Sequence, residues 1–441
     1  MRILWIDNDG GNGSLAYLMR CIEDGHQVRW YFSKPRDTKA QPLGKGLVQI
    51  VPDWREWARW ADVICLGDNT KHIKEVGYWR ERGTPVVGAC LETAQWEMDR
   101  TLGQQIFNRC GIETADYKSF TDYDRAIAYV KKEMRRFVSK PLGDEEDKSL
   151  SYCSKDAADM VYMLERWKKA KRHKAGFILQ EFVAGCEMAV GGFFGPGGFQ
   201  EGWCENWEFK KLFPGDRGPA TGEQGTILRF VKDSKLADLV LKPVEDELAR
   251  CRYVGHVDVN CIIDEDGKPW PLEFTTRPGW PTWNIQQALN DGDHAEWLGA
   301  LSDGLDAKPF SLNKVAAGVQ MAIPDYPYSQ NTKKEVVGMP LHGLTEKNRA
   351  SVWPCEMMLG EAPVEQDGKI SPAPILCTTG DYVLTATGTG EDVRQARSGA
   401  YKVLDQLSMP ASPFWRTDIG QRLKKQLPEI QRHGYAKGMT F

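Results

Sequence analysis

Short apolar runs broken by Gly-rich turns open the chain. Residues 2–6 (RILWI) form such a run, residues 9–13 carry turn chemistry, and residues 14–19 read as a helix with Ser14 at its N-cap. Strand patterns recur at 27–32, 61–66 and 85–88 with helical stretches between them. That alternation predicts a parallel α/β domain over residues 1–97.

The middle of the chain changes character. Residues 100–110 and 157–171 read as helices, and 137–141 as a strand ending in a polar loop. Residues 177–183 and 187–191 read as paired strands around Ala184 and Gly185, and 234–251 as one helix. A hairpin follows, 256–263 and 269–274, around the turn 264–267. These elements predict an α+β domain over 98–310. Residues 311–441 carry short strands, Pro/Gly turns and one helix at 391–407, and are expected to form a small β-rich domain.

Composition narrows the class. With 441 residues, 41% hydrophobic and 27% charged, the chain is neither disordered nor fibrous. A net charge of −4 argues against a globally basic nucleic-acid binder. The basic run 168–174 is read as the solvated end of a helix. Eleven Cys without a C-x-x-C pair, and no signal peptide, are expected of reduced thiols in a cytoplasmic protein. No apolar run approaches the roughly 20 residues of a membrane span.

Three places carry candidate chemistry. Gly11-x-Gly13-x-x-Ala16 follows a strand, so backbone N–H groups could approach a phosphate there. A tight strand-to-helix turn explains it equally well, and the second strand ends without the acid an NAD site wants. On the hairpin, Asp258 and Asn260 are two residues apart and share a face, with Glu273 and Thr275 on the return strand. Carboxylate and amide oxygens so placed suit Mg²⁺ or Mn²⁺ bridging phosphates. Lys140 on a strand and Lys148 in the next loop are candidate phosphate contacts.

Taken in order, the segments resemble the ATP-grasp superfamily, and within it glycinamide ribonucleotide synthetases. Residues 96–100 and 111–115 are similar to that group's "LE-x-S-K … G-I-P-T-A", and 179–187 to its "I-E-E-x-L-x-G-x-E". Residues 215–225 resemble "G-D-x-G-P-N-T-G-G-M-G", the most specific match, and 272–279 resemble "I-E-F-N-x-R-F-G". Two tail segments, 379–384 and 416–420, are similar to "G-G-R-V-L" and "Y-R-x-D-I-G".

The resemblance implies an ATP-grasp fold, with residues 118–190 as a mobile lid over ATP. It implies ATP and Mg²⁺ (or Mn²⁺), and amide formation between a carboxylate such as glycine and an amine, in a monomer or homodimer. Lys140, Arg100 and Lys148 would meet ATP phosphates. Glu181, Phe182 and Val183 would form the adenine edge, and Glu187 would hold the ribose. Glu273 would bind the metal with Asn260 or Asp258, and with Thr275 where the group has Asn. Arg277, Asp216 and Lys140 would be the catalytic residues; Arg277 and the loop carrying Asp216, Gly218, Pro219, Thr221 and Gly222 would face acid and amine, with Gly11, Gly13 and Trp280 as further substrate contacts.

The departures cluster at that site. Trp280 and Thr282 stand where the group has acids, Ala220 replaces Asn, Glu223 replaces Gly, and residues 143–148 are acidic rather than Gly-rich. They point to a divergent ligase whose amine is not phosphoribosylamine, one on a modified nucleotide or base being an example. The alternative is an ATP-binding homologue without catalysis. An NADP-linked oxidoreductase would leave most of the chain unexplained.

Overall fold

The apolar segments of the first 97 residues pair side by side. The computed structural model describes all residues except 11–12, 34–42, 70, 143–149, 174, 329–335 and 367. In it β1 (Arg2–Asp7), β2 (Gln27–Phe32), β3 (Val63–Leu66) and β4 (Val86–Val87) form a parallel sheet in the order β2-β1-β3-β4. α1 (Ser14–Glu23), α2 (Ile73–Glu81) and α3 (Leu91–Met98) alternate with these strands. Ser14 does not cap α1. Gly13 holds the N-cap position, and the Ser14 hydroxyl accepts from Trp5 Nε1 at 2.9 Å inside the core.

α4 (Arg100–Arg109) follows at once. Asp99 caps it, its carboxylate accepting from the backbone N–H of Thr101 at 2.9 Å and of Leu102 at 3.1 Å. The cap fixes the start of the helix, and Arg100 is its first residue. Asp99→Ala is expected to cost about 1 kcal/mol in urea unfolding. If Arg100 meets ATP phosphates, as the resemblance implies, the change should also weaken ATP binding by loosening it; an unchanged ATP affinity would show that Arg100 is held by other contacts or does not meet ATP.

β5 (Tyr117–Phe120), β6 (Phe137–Pro141), β7 (Tyr152–Cys153) and β8 (Phe177–Glu181) form a separate antiparallel sheet, ordered β5-β8-β6-β7. α5 (Tyr123–Glu133) and α6 (Ala157–Lys169) cover it, and Phe120, Val130, Phe137, Met160, Leu164 and Phe177 belong to its own apolar core. Lys168 lies solvated and pairs with Asp124 at 2.6 Å. His173, by contrast, is buried, with Nδ1 2.8 Å from the Tyr123 hydroxyl, so the basic run is not solvated throughout.

The chain then crosses to a ten-stranded sheet. Its strands are β9 (Cys186–Gly195), β10 (Gly198–Phe199) and β11 (Trp203–Glu208), and, after the small hairpin β12 (Lys211–Phe213) and β13 (Arg217–Ala220), β14 (Gly225–Val231), β15 (Gly255–Ile263), β16 (Pro269–Thr275), β17 (Val315–Ala322) and β18 (Val352–Pro354). A second hairpin, β19 (Met357–Gln366) and β20 (Lys369–Thr378), precedes β21 (Tyr382–Gly390) and β22 (Phe414–Trp415). The order is β16-β15-β9-β11-β14-β17-β21-β18, with β10 on β9 and β22 on β17.

Two further expectations are corrected. Residues 177–183 and 187–191 are not partners: β8 pairs with β5 and β6, whereas β9 pairs with β11 and β15. At the crossing, a Cβ on Gly185 would lie 2.1 Å from the Ile263 carbonyl, so the backbone is pressed against β15 rather than folded into a hairpin. The helix expected over 234–251 is broken into α7 (Lys235–Val240) and α8 (Glu245–Arg250) by a 3₁₀ turn containing Pro243. α9 (Thr282–Gln287), α10 (Glu296–Ser302), α11 (Val393–Leu404) and α12 (Leu423–Gln431) complete the helices described. Strands after residue 311 extend the large sheet through the β14–β17 pairing.

Candidate functional site

Side chains alternate between the two faces of the large sheet, so register decides which of them meet. Asp258 lies opposite Thr275, and Asn260 opposite Glu273. Across the next strand Gly191 and Ala189 take the matching positions, which leaves room above them. A Cβ on Gly191 would come within 2.8 Å of Asp258 Oδ2. Over this gap Asn206 Nδ2 donates to Asp258 Oδ2 at 2.8 Å, and Asn260 Nδ2 to Glu208 Oε2 at 2.9 Å. The four residues expected around a metal therefore share one face, with Asn206 and Glu208 beside them.

Three cations surround Glu273. Arg100 donates to its carboxylate, Lys210 Nζ lies 3.9 Å from Oε1, and Lys140 enters from β6. Burial alone would raise the Glu273 pKa; Arg100, then Lys210 and Lys140, outweigh it and hold the carboxyl below its usual range. Lys210 Nζ also lies 2.9 Å from Glu208 and 3.1 Å from Glu187. Burial opposes its charge, yet these acids keep its pKa well above the ordinary value.

Lys140 Nζ donates to Gln180 Oε1 at 2.9 Å, and Gln104 Nε2 donates to the Leu272 carbonyl at 3.1 Å. A longer contact, 3.4 Å from Gln180 Nε2 to Gln104 Oε1, joins the two sheets. Burial, reinforced by Arg100, brings the Lys140 ammonium down to about 8. The charged form is the one that attracts phosphate. If Lys140 meets ATP phosphates, as the resemblance implies, ATP affinity of the unliganded protein should be full below that value and weaken as pH rises through about 8. The loss should approach about tenfold per pH unit above it. ATP titrations across this range check it, with Lys140→Arg expected to flatten the profile.

Asp258 is pushed up to about 7 by burial and by Glu208, so at neutral pH it is partly protonated. Asn260 Oδ1 has no hydrogen-bond partner among the described residues.

The remaining expected residues divide. Arg277 is engaged by Glu97, with Nε at 3.0 Å and Nη2 at 2.8 Å from Oε1. Glu97 also accepts from the Thr276 N–H at 3.0 Å and from Asn69 Nδ2 at 2.9 Å. Gly222 packs under Trp280, and Thr221 Oγ1 donates to the Lys210 carbonyl at 2.9 Å. Gly218 and Pro219 lie on β13. Asp216 is placed elsewhere, 2.8 Å from Arg416 and 3.5 Å from Arg422. On the lid edge Glu181 N–H donates to Asp116, and Phe182 N–H to Arg136, with Val183 next in line. Gly13 lies beside Trp283. Gly11, Lys148 and the acidic loop 143–148 lie outside the described residues.

Glu97, Lys210, Glu208 and Asn206 are functional candidates that sequence reasoning missed. The spacing of Asn206 and Glu208, two apart and so on one face of a strand, was the available signal. Glu97 offered none, since its partner is 180 residues away.

Residues 98–282 match the family model described as phosphoribosylglycinamide synthetase, ATP-grasp (A) domain. A phosphoribosylamine–glycine ligase from Leptospira interrogans is 24% identical over 372 residues, covering 82% of this chain and 83% of that protein. One from Ralstonia nicotianae is 26% identical, covering 79% and 81%. Residues 98–282 thus carry an ATP-grasp domain, and most of the chain is similar to phosphoribosylamine–glycine ligases. Solved ATP-grasp structures agree in fold. Phosphoribosylamine–glycine ligase from Thermotoga maritima superposes with a TM-score of 0.70 at 20% identity, covering 95% of this chain and 100% of that one. An L-amino acid ligase from Bacillus licheniformis gives 0.56 at 15% identity, covering 93% and 98%. Among the described residues no helix is long and apolar enough to cross a membrane.

Proposed function

We propose that the protein joins a carboxylate to an amine at the expense of ATP, and that the amine is not phosphoribosylamine. The observation that carries the ligase reading is the ring of Arg100, Lys140 and Lys210 around Glu273, on a sheet face shared with Asn260. That arrangement places positive charge where phosphoryl transfer builds up negative charge.

Carboxylate oxygen attacks the ATP γ-phosphorus, the bond to the bridging oxygen breaks, and ADP leaves with the electron pair. The acyl phosphate formed is attacked at its carbonyl carbon by a neutral amine. The C–N bond forms, the C–O bond to phosphate breaks, and the nitrogen's surplus proton ends on phosphate or solvent. Lys140 and Arg100 hold the phosphates, the segment of Glu181, Phe182 and Val183 borders the adenine, and Glu187 faces the ribose. Arg277, oriented by Glu97, holds the acid.

Hard oxygen donors, one of them the unpartnered Asn260 Oδ1, fit Mg²⁺ or Mn²⁺. Glu273 and Asn260 would hold the ion, with Asp258 and Thr275 in support; when bound it neutralises phosphate charge. The changed amine is supported by Trp280 lying over Gly222, where the resembled group has acids.

The test is ADP release by the purified protein with Mg-ATP, comparing glycine plus phosphoribosylamine with amino acids paired with other amines. Turnover only with another pair supports the proposal. Ordinary rates with glycine and phosphoribosylamine would sink its second half. ATP binding with silence across the panel would favour a catalytically inactive homologue.

A further inference from the structure

The departures from the family pattern converge on one carboxylate. Glu223 stands where the resembled motif has glycine, and it is only 3% exposed. Its Oε1 is shielded from solvent and has no hydrogen-bond partner among the described residues. An unpaired buried carboxylate is costly, and structures keep one where something else satisfies it. Burial first, then Glu208, with Asp258 and Glu187 adding to them and Lys210 opposing, hold its pKa well above the ordinary carboxylate range, so its charge awaits an incoming cation. Lys210 is already shared among Glu187, Glu208 and Glu273. Around Glu223 the acids thus outnumber the cation.

The walls are aromatic. Trp280 lies over Gly222, and its ring centroid is 4.2 Å from that of Tyr382. Tyr326 lies 5.4 Å beyond Tyr382. The Tyr382 hydroxyl lies 3.4 Å from the Glu223 carbonyl, and Gln224 Nε2 lies 3.3 Å from the Tyr326 hydroxyl. The loop carrying Glu223 is therefore fixed against three rings. A buried acid on a loop fixed against aromatic rings suits an organic ammonium, whose charge pairs with the carboxylate while its carbon skeleton lies on the rings; one N–H proton then passes to the Glu223 carboxylate, and the nitrogen attacks as the neutral amine. A strongly hydrated Mg²⁺ gains little from such walls.

Resting on the ligase reading above, we propose that Glu223 is the specificity-determining residue for the acceptor, and that the acceptor is an alkylammonium compound recognised by this carboxylate and the Trp280 wall. The family's glycine at this position offers no such partner.

The experiment uses the full chain, Mg-ATP and a panel of amino acids. Hydroxylamine, uncharged near neutral pH, traps the acyl phosphate as a hydroxamate without an ammonium site. n-Butylamine and ethylenediamine are the charged acceptors that compete with it. Glu223→Gln and Glu223→Gly, the second restoring the family residue, are compared, with circular dichroism confirming that each is folded. The expected result is a KM for the charged amines raised at least about tenfold more than that for hydroxylamine, the size set by hydrogen bonds to a charged group. Equal changes for both nucleophiles would overturn the assignment. So would failure of the charged amines to compete in the wild type, or a shift in the Mg²⁺ requirement in place of the amine KM. Absence of hydroxamate with every acid in the wild type would bring down the ligase reading itself and this inference with it.

Discussion

Replacing Glu273 by Gln is expected to lower ADP release by about 10³-fold, the upper range for removing one electrostatic element of a preorganised site. Size and hydrogen-bonding capacity are nearly conserved, so the change isolates charge. The carboxylate sits among Arg100, Lys210 and Lys140, all partly neutralised through it. Without it the cations repel one another, and Lys140, already brought down to about 8, loses the neighbour that favours its charged form. The proposed metal position loses its charged ligand in the same step. ATP binding in the absence of divalent ions should fall much less, because phosphates replace the missing negative charge. Steady-state ADP release with and without Mg²⁺ checks both halves. A loss below tenfold would remove Glu273 from the centre of the site.

How much of this was legible follows from the range of each interaction along the chain. Asp258, Asn260 and Glu273 could be grouped because a hairpin is local: a polar turn fixes the register, and period two fixes the face. The parallel sheet of the first domain was readable for the same reason. Pairings between distant segments were not. Nothing in residues 177–191 reveals that β8 and β9 serve different sheets, because each is an apolar run with a turn between them. Lys210 carries no mark in the sequence; only the folded sheet surrounds it with Glu187, Glu208 and Glu273. Glu97 acquired its role only when the α3 terminus met the segment after β16. The family resemblance supplied what periodicity lacked, yet it carried no information at Glu223 and Trp280, where the chain leaves the pattern.

Asp216 shows the opposite risk, a residue whose role came from the motif alone. Its carboxylate reaches Arg416, which is 1% exposed and also lies 2.5 Å from Asp418 and 2.9 Å from the Lys211 carbonyl. The guanidinium thus ties the β12–β13 hairpin to the segment after β22, with the ring of Phe209 5.1 Å away. Arg416→Met keeps the bulk but leaves the half-buried Asp418 without its counter-charge. The expected cost is about 3 kcal/mol, the lower end for breaking a buried ion pair. Asp216 is about half exposed, so Asp216→Asn alone should cost well under about 1 kcal/mol after solvent screening. Urea unfolding of both variants and of the double variant measures the coupling. Kinetics then separates anchoring from chemistry. An anchoring role predicts that Arg416→Met and Asp216→Asn both raise the amine KM with kcat nearly unchanged, since the loop that carries Thr221 and Gly222 to Trp280 is loosened. A fall in kcat of about 10² confined to Asp216→Asn, with Arg416→Met sparing kcat, would instead return Asp216 to the chemistry.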